Sequence, residues 1–168
     1  LKMNNDTAYK VIVDLIKADL LPTTDFEITE FHLQSYIKLY TLYKGYNESW
    51  AAKQSNIRYA RKLAGLTLIK YKLSLGLKSN QCKEGFVYTV SNPAWPNMLK
   101  LGMTINVKER LSKYQTYSPF RDYKVEAYEF VFNRRETEAF VKDKFKLSIE
   151  AGEWISGIKA SQVIKSIS

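Results

Sequence analysis

Cysteine and histidine are nearly absent from this chain: Cys82 and His32 are the only ones among 168 residues. One cysteine excludes an intramolecular disulfide. Together the two exclude a zinc site of the Cys-rich or His-cluster kind. Any metal must therefore be held mainly by oxygen ligands, which points to magnesium, manganese or calcium. No apolar run approaches the length that spans a bilayer. The N-terminus lacks the charged-then-apolar layout of a signal peptide, so the chain reads as cytoplasmic, with Met3 as the native start. Acidic residues are also scarce, 17 against 26 Lys and Arg, for a formal charge of +9. That balance favours partners that carry phosphate, either nucleic acid or an anionic membrane surface.

What is present supports packed domains. An apolar fraction of 45% with 14% aromatic residues supplies core material, and the length fits one or two small domains. Residues 7–20 read as a helix, with Ile12, Ile16 and Leu20 in one stripe that Val11 and Leu15 widen, and with Pro22 as the stop. Residues 29–44 read as a second helix through Leu33, Tyr36, Ile37 and Tyr40, closed by Gly45. Asn47 or Ser49 caps a third helix, with Trp50, Ile57 and Ala64 on one stripe and Gly65 at its end. Helix and strand compete over 66–75, and 76–84 reads as a polar linker. There is no repeat and no low-complexity tract.

The pattern then changes. Residues 86–91 are rich in β-branched and aromatic side chains, a strand signal. Pro93 and Pro96 interrupt it, and Met98–Gly102 resumes as the second strand of a long-looped hairpin. Asn106 caps a helix with Val107, Leu111 and Tyr114 on one face. Tyr123, Val125 and Ala127 alternate with polar residues as a third strand. Residues 134–147 follow as a helix with Phe140, Val141 and Phe145 inward, and 159–167 as a last short helix.

Four polar residues of this half stand in a suggestive order: Tyr88, Lys100, Arg110 and Glu138. Hydrolysis of a phosphodiester needs a positioned or deprotonated water, offset charge on the phosphoryl oxygens and a stabilised leaving oxygen. Arginine matches phosphate with a bidentate fork. Tyrosine or lysine can position the water, or deprotonate it if nearby cations lower its pKa. A carboxylate can hold one divalent cation. Helical spacing aligns Glu138 with Val141 and Phe145, so the carboxylate leans toward the sheet and needs a partner there, a metal ion or Arg110. Glu136 lies about 160° away around the helix, so it cannot face the sheet as well. Taken singly, each residue has a bland account. A strand tyrosine packs, a strand lysine is solvated, a helix arginine snorkels, and Glu138 pairs with Arg134 or Lys142 at a spacing of four.

Jointly they carry a resemblance. Residues 85–155 resemble the GIY-YIG nuclease superfamily: its first motif matches Phe86-Val87-Tyr88 and its second Lys100-Leu101-Gly102, with lysine in place of tyrosine. Arg110 follows Gly102 by eight residues, as the family arginine does, and Glu138 sits where the family glutamate opens its helix. The chain is most similar to the phage and bacterial branch, in Val87-Tyr88-x-x-Ser91-Asn92-Pro93, in Lys100-x-Gly102-x-Thr104, in Ser118-Pro119-Phe120 and in Gly152-Glu153-Trp154. The family's C-terminal asparagine has no counterpart. The resemblance says nothing about 1–80, where periodicity reads a helical region; over 85–168 it implies a small three-stranded antiparallel sheet flanked by helices, so the expected fold class is α+β. The resemblance also implies cleavage of DNA with one magnesium or manganese ion per site in a bacterial or phage-infected cell. Carried over, Tyr88 is the base or the water-orienting group, Lys100 assists it, Arg110 stabilises the phosphoryl charge and Glu138 binds the metal. Glu153 and Trp154 pack beside the site. A homo-oligomer stays open, because one such site cuts one strand. No membrane partner is expected.

From Lys53 to Lys83 there are eight cations and no acid, with Tyr59 and Tyr71 interleaved. Lys53, Arg58, Arg61, Lys62, Lys70 and Lys72, with Lys108 and Lys113 of the second half, form the expected DNA-holding set. The alternative is a solvated helix face. Two other readings of the whole stand beside the nuclease. One is a DNA-binding module with an inactive nuclease fold. The other is a phage or host interaction protein that uses Tyr36, Tyr40, Tyr43 and Tyr46 as an apolar contact patch.

Overall fold

A computed structural model describes residues 6–167; Met3 lies outside them. The chain divides into two compact units that meet between Cys82 and Lys83. The fold is α+β, with a helical first unit and a sheet-bearing second one.

The first unit holds α1 (Asp6–Lys17), α2 (Glu30–Lys44), α3 (Glu48–Ala51) and α4 (Gln54–Ser74). Ala8, Val11, Ile12 and Leu15 make the buried stripe of α1. That helix ends earlier than Pro22 dictates: Asp19 takes a left-handed backbone (φ 57°) and Leu20 is exposed. Gly45 closes α2 at φ 71°, and the Thr29 N–H at its start donates to His32 Nδ1 at 3.0 Å. The expected third helix is two. The Asn47 side chain caps the four-residue α3, and α4 starts afresh at Gln54, so Trp50 and Ile57 share no stripe and Ile57 is exposed. Gly65 does not end α4. Ala60, Ala64, Leu68 and Ile69 stay buried through it at helical spacing, and that packing outweighs the roughly 1 kcal/mol cost of a mid-helix glycine. The competition over 66–75 is thus decided for helix. Tyr36 and Tyr40 are buried, with the Tyr36 hydroxyl donating to Thr67 Oγ1 at 3.3 Å, so the four tyrosines form no contact patch.

The second unit runs β1 (Gly85–Ser91), β2 (Met98–Thr104), α5 (Val107–Thr116), β3 (Lys124–Val131), α6 (Arg134–Lys144), β4 (Ile149–Ala151), β5 (Trp154–Ser156) and α7 (Ala160–Ile167). The strands form one antiparallel sheet in the order β3-β1-β2-β5-β4, five strands where three were expected. The two extra strands are three residues each, joined through Gly152 at φ 56°, and are too short to leave a periodic signal. One face carries Val87, Leu99, Leu101, Val131 and Ile155, which pack with Val141 of α6 and Val163 of α7 into the core. Phe140 is 55% exposed rather than inward, and Phe145 packs only at the core's edge. Arg134 crosses Gly85, where a Cβ would lie 2.6 Å from its Cδ, and donates to the Glu84 carbonyl at 3.0 Å. Alternation puts Tyr88, Lys100, Gly102 and Trp154 on the opposite face, which α5 approaches.

Candidate active site

Tyr88 sits on the second strand in from the β3 edge, directly opposite Gly102 of β2 and Tyr128 of β3. Its ring lies over Gly102: a Cβ there would be 2.4 Å from the Tyr88 hydroxyl oxygen and 2.5 Å from Cζ. Glycine is therefore needed after Lys100-Leu101 because a buried aromatic ring covers its α-carbon, with no demand for an unusual backbone angle. The hydroxyl lies 2.9 Å from that of Tyr114 on α5, and the Tyr114 ring packs on Tyr123 with centroids 5.2 Å apart.

Lys100 pairs across the sheet with Val90 on one side and Trp154 on the other, on the same face as Tyr88. Its Nζ stands 5.2 Å from the centre of the Tyr114 ring and 6.0 Å from that of Trp154, so aromatic faces flank the ammonium. Arg110 is exposed one helical turn before Tyr114. Asn106 fixes that helix start, its side chain accepting from the Glu109 N–H at 3.2 Å and its carbonyl from the Arg110 N–H at 3.1 Å.

Glu138 is only 9% exposed on α6, whereas Glu136 is exposed, as helical spacing requires. Its partner is not Arg110. Lys142, one turn on, places Nζ 3.0 Å from Glu138 Oε1 and 3.4 Å from Glu153 Oε1, so one ammonium is held between two carboxylates. The Glu138 carboxylate raises the Lys142 pKa above the usual lysine value, against the opposing pull of burial. Glu153 closes the circuit. Its carbonyl accepts from the Leu101 N–H at 2.9 Å, and its charge reaches Tyr88, as does that of Arg110. The direct contacts thus make two groups, Tyr88 with Tyr114 and Lys100, and Glu138 with Lys142 and Glu153; Arg110 lies one turn before Tyr114.

The electrostatics of Tyr88 separate its two expected roles, base and water-orienting group. A base role requires nearby cations to lower its pKa; instead burial, then the Tyr114 hydroxyl, push it well above the ordinary tyrosine value, and Arg110 only partly offsets them. Tyr88 keeps its proton at physiological pH.

Sequence reasoning passed over Tyr114, read as one more apolar position of its helix. The signal was its place one turn after Arg110. It noted Lys142 and Glu153 only as neighbours.

The cations expected to hold DNA divide. Lys53, Arg58, Lys70, Lys108 and Lys113 are exposed. Arg61 is clamped by Glu30 at 2.8 and 2.9 Å, and Lys62 is half-buried. Lys72 is 4% exposed, 3.9 Å from Asp25 and beside the Phe26 ring, so it is not part of the surface; Tyr71 is buried too.

Carboxylate oxygen is the donor type that a hard divalent cation takes. Glu138, with Glu153 across the same ammonium, offers carboxylate oxygen only, and Lys142 shows that a positive charge is accommodated between them. Among the described residues no group of three or more His, Cys, Asp or Glu could hold a metal, so such an ion would keep most of its waters. Among the described residues, too, no helix is long and apolar enough to cross a membrane. No curated protein and no solved structure matches the chain. Residues 85–168, half of the chain, match the family model of the T5orf172 domain, and the chain belongs to that family.

Proposed function

We propose that the second unit is a divalent-metal-dependent endonuclease of GIY-YIG type that hydrolyses phosphodiester bonds in DNA. The observation that carries this reading is the contact of Tyr88 and Lys100 with Tyr114, one turn after the exposed Arg110, in a unit whose buried Glu138 shares the Lys142 ammonium with Glu153. Arg110 is exposed, so its guanidinium is free to meet phosphate oxygens and offset their charge. Tyr88, neutral and hydrogen-bonded to Tyr114, orients the attacking water through its hydroxyl and does not act as its base. Lys100, held against two aromatic faces, adds a point charge on the same side of the sheet. Glu138 would hold the cation, with Glu153 beside it. A bound magnesium ion would supply charge neutralisation at the phosphate and the leaving oxygen. Lys53, Arg58 and Lys70 of the first unit would add affinity that is independent of sequence.

A second reading, a DNA-binding module that does not cleave, draws on one observation: Glu138 already has a counter-ion in Lys142. Incubation of the full chain with supercoiled plasmid separates the two. Nicked circles with magnesium and none with chelator support the nuclease. Retarded plasmid that stays supercoiled with magnesium supports the binder, and an unbound, uncut plasmid refutes both.

A further inference from the structure

Three aromatic side chains stand in water beside this site. Trp95 is 47%, Tyr117 89% and Phe120 83% exposed. The two loops that carry them are tied down by hydrogen bonds. Over 118–121, Pro119 occupies the second position of a turn in which the Arg121 N–H donates to the Ser118 carbonyl at 3.2 Å, which leaves Phe120 at the tip. Over 92–95, Pro93 has the same place, with the Trp95 N–H donating to the Asn92 carbonyl at 3.0 Å. The buried Asn92 joins the loops: its Nδ2 donates to Asp122 Oδ1 at 2.9 Å, and Ser118 Oγ donates to that same oxygen at 2.8 Å. Gln115 closes the 118–121 loop by a two-way amide bond to the Tyr123 backbone, at 2.8 and 3.0 Å. This framework holds the Tyr117 and Phe120 rings in solvent, where they add little to folding, and leaves half of Trp95 exposed.

Clefts of about 300 and 250 Å³ open beside Trp95, both lined by Asn92, Trp95 and Asp122. They are small and open, so they suit a flat group rather than an enclosed ligand. Lys113, Arg121 and Lys124 are exposed around the loops and outnumber the acids there, Asp122 and Glu126, which favours an anionic partner. The patch is also continuous with the site. The Trp95 ring is 5.2 Å from that of Trp154, whose ring is 6.0 Å from Lys100 Nζ.

We propose that Trp95, Tyr117 and Phe120 form a stacking platform for unpaired nucleobases, so that the substrate is nucleic acid with bases unstacked near the scissile phosphate. The proposal rests on the nuclease reading of the neighbouring residues. Every base has a face that stacks on an aromatic ring, whereas a paired duplex hides those faces within its own stack.

The test is binding of the full chain, in chelator, to a fluorescent duplex with a central unpaired bubble and to the fully paired duplex of equal length. The bubble is expected to bind about tenfold more tightly, the size of one stacked base. The Tyr117→Ser/Phe120→Ser variant, altered only at exposed positions, is expected to lose that factor while its affinity for the paired duplex stays within about twofold. A 2-aminopurine in the bubble is expected to be quenched by the parent and not by the variant. Equal affinities for the two DNAs, a preference that survives the substitutions, or no binding at all would overturn the platform. A platform-dependent preference without cleavage of the bubble duplex in magnesium would instead refute only the nuclease reading. Cleavage without a preference would refute only the platform.

Discussion

Gly102→Ala is the sharpest structural perturbation of the site. The new methyl would lie 2.4 Å from the Tyr88 hydroxyl oxygen, 2.5 Å from Cζ and 3.0 Å from Cε1. Ordinary contact between carbon atoms is about 3.5–4.0 Å, so the ring has to move by roughly 1 Å. Tyr88 is buried and its hydroxyl is only 2.9 Å from that of Tyr114, so the movement breaks that bond. Overpacking of this kind costs about 1–3 kcal/mol and the lost hydrogen bond about 1 more. Replacing a strand glycine by alanine returns about 0.5–1 kcal/mol. The net loss of roughly 2 kcal/mol lowers Tm by about 8–16 °C for a domain of this size. Circular dichroism melts read that directly, and the nicking rate is expected to fall by at least about tenfold through the displaced hydroxyl. A cycle with Tyr88→Ala isolates the cause, since Gly102→Ala added to Tyr88→Ala should cost nothing further. A Gly102→Ala protein that melts and nicks like the parent would refute the reasoning.

Tyr88→Phe is expected to lower the cleavage rate by the same factor at pH 7 and pH 9, because a hydroxyl whose pKa burial raises keeps its proton over that range; a factor that changes with pH would mean Tyr88 titrates. The same shift means that titration of Tyr88 leaves parent stability unchanged below the ordinary pKa of 10.0 and lowers it as pH rises further, since the unfolded chain then releases the proton that the native site retains, and Tyr88→Phe should weaken that alkaline loss. Lys142→Met is expected to cost about 1 kcal/mol in chelator, by leaving Glu138 and Glu153 without their shared counter-ion, and to be rescued by magnesium in thermal melts. Replacing Lys53, Arg58 and Lys70 with glutamine should reduce the slope of log affinity against log salt by about 2–3, while Lys72→Gln should leave the slope unchanged and lower stability, because Lys72 is buried.

The β1–β2 hairpin, the Asn106 cap and the inward lean of Glu138 were legible because each rests on local chemistry: β-branched runs broken by two prolines, a side-chain acceptor before a helix, and a period of 3.6. Strands β4 and β5 were not, since three residues carry no period and their pairing depends on β2 as a template. Gly65 misled because a helix stop and a mid-helix glycine have the same local sequence, and only packing along α4 distinguishes them. Lys72 was misread for a similar reason, as charge says nothing about which helix face is covered. In the site, residue types and order were readable, but their couplings were not. The Tyr88–Tyr114 bond and the Lys142 bridge depend on a helix crossing a sheet and on a turn 11 residues beyond Lys142. The pKa of Tyr88 depends on burial, which outweighed the cations that the sequence places nearby.

The central claim, cleavage by a carboxylate-held cation, is tested most directly by the initial rate of plasmid nicking by Glu138→Gln beside the parent at saturating magnesium. The substitution keeps the shape of the side chain and removes its charge. The account predicts a fall of at least about a hundredfold, the scale of several kcal/mol of lost charge stabilisation. Equal rates from the two proteins would contradict it.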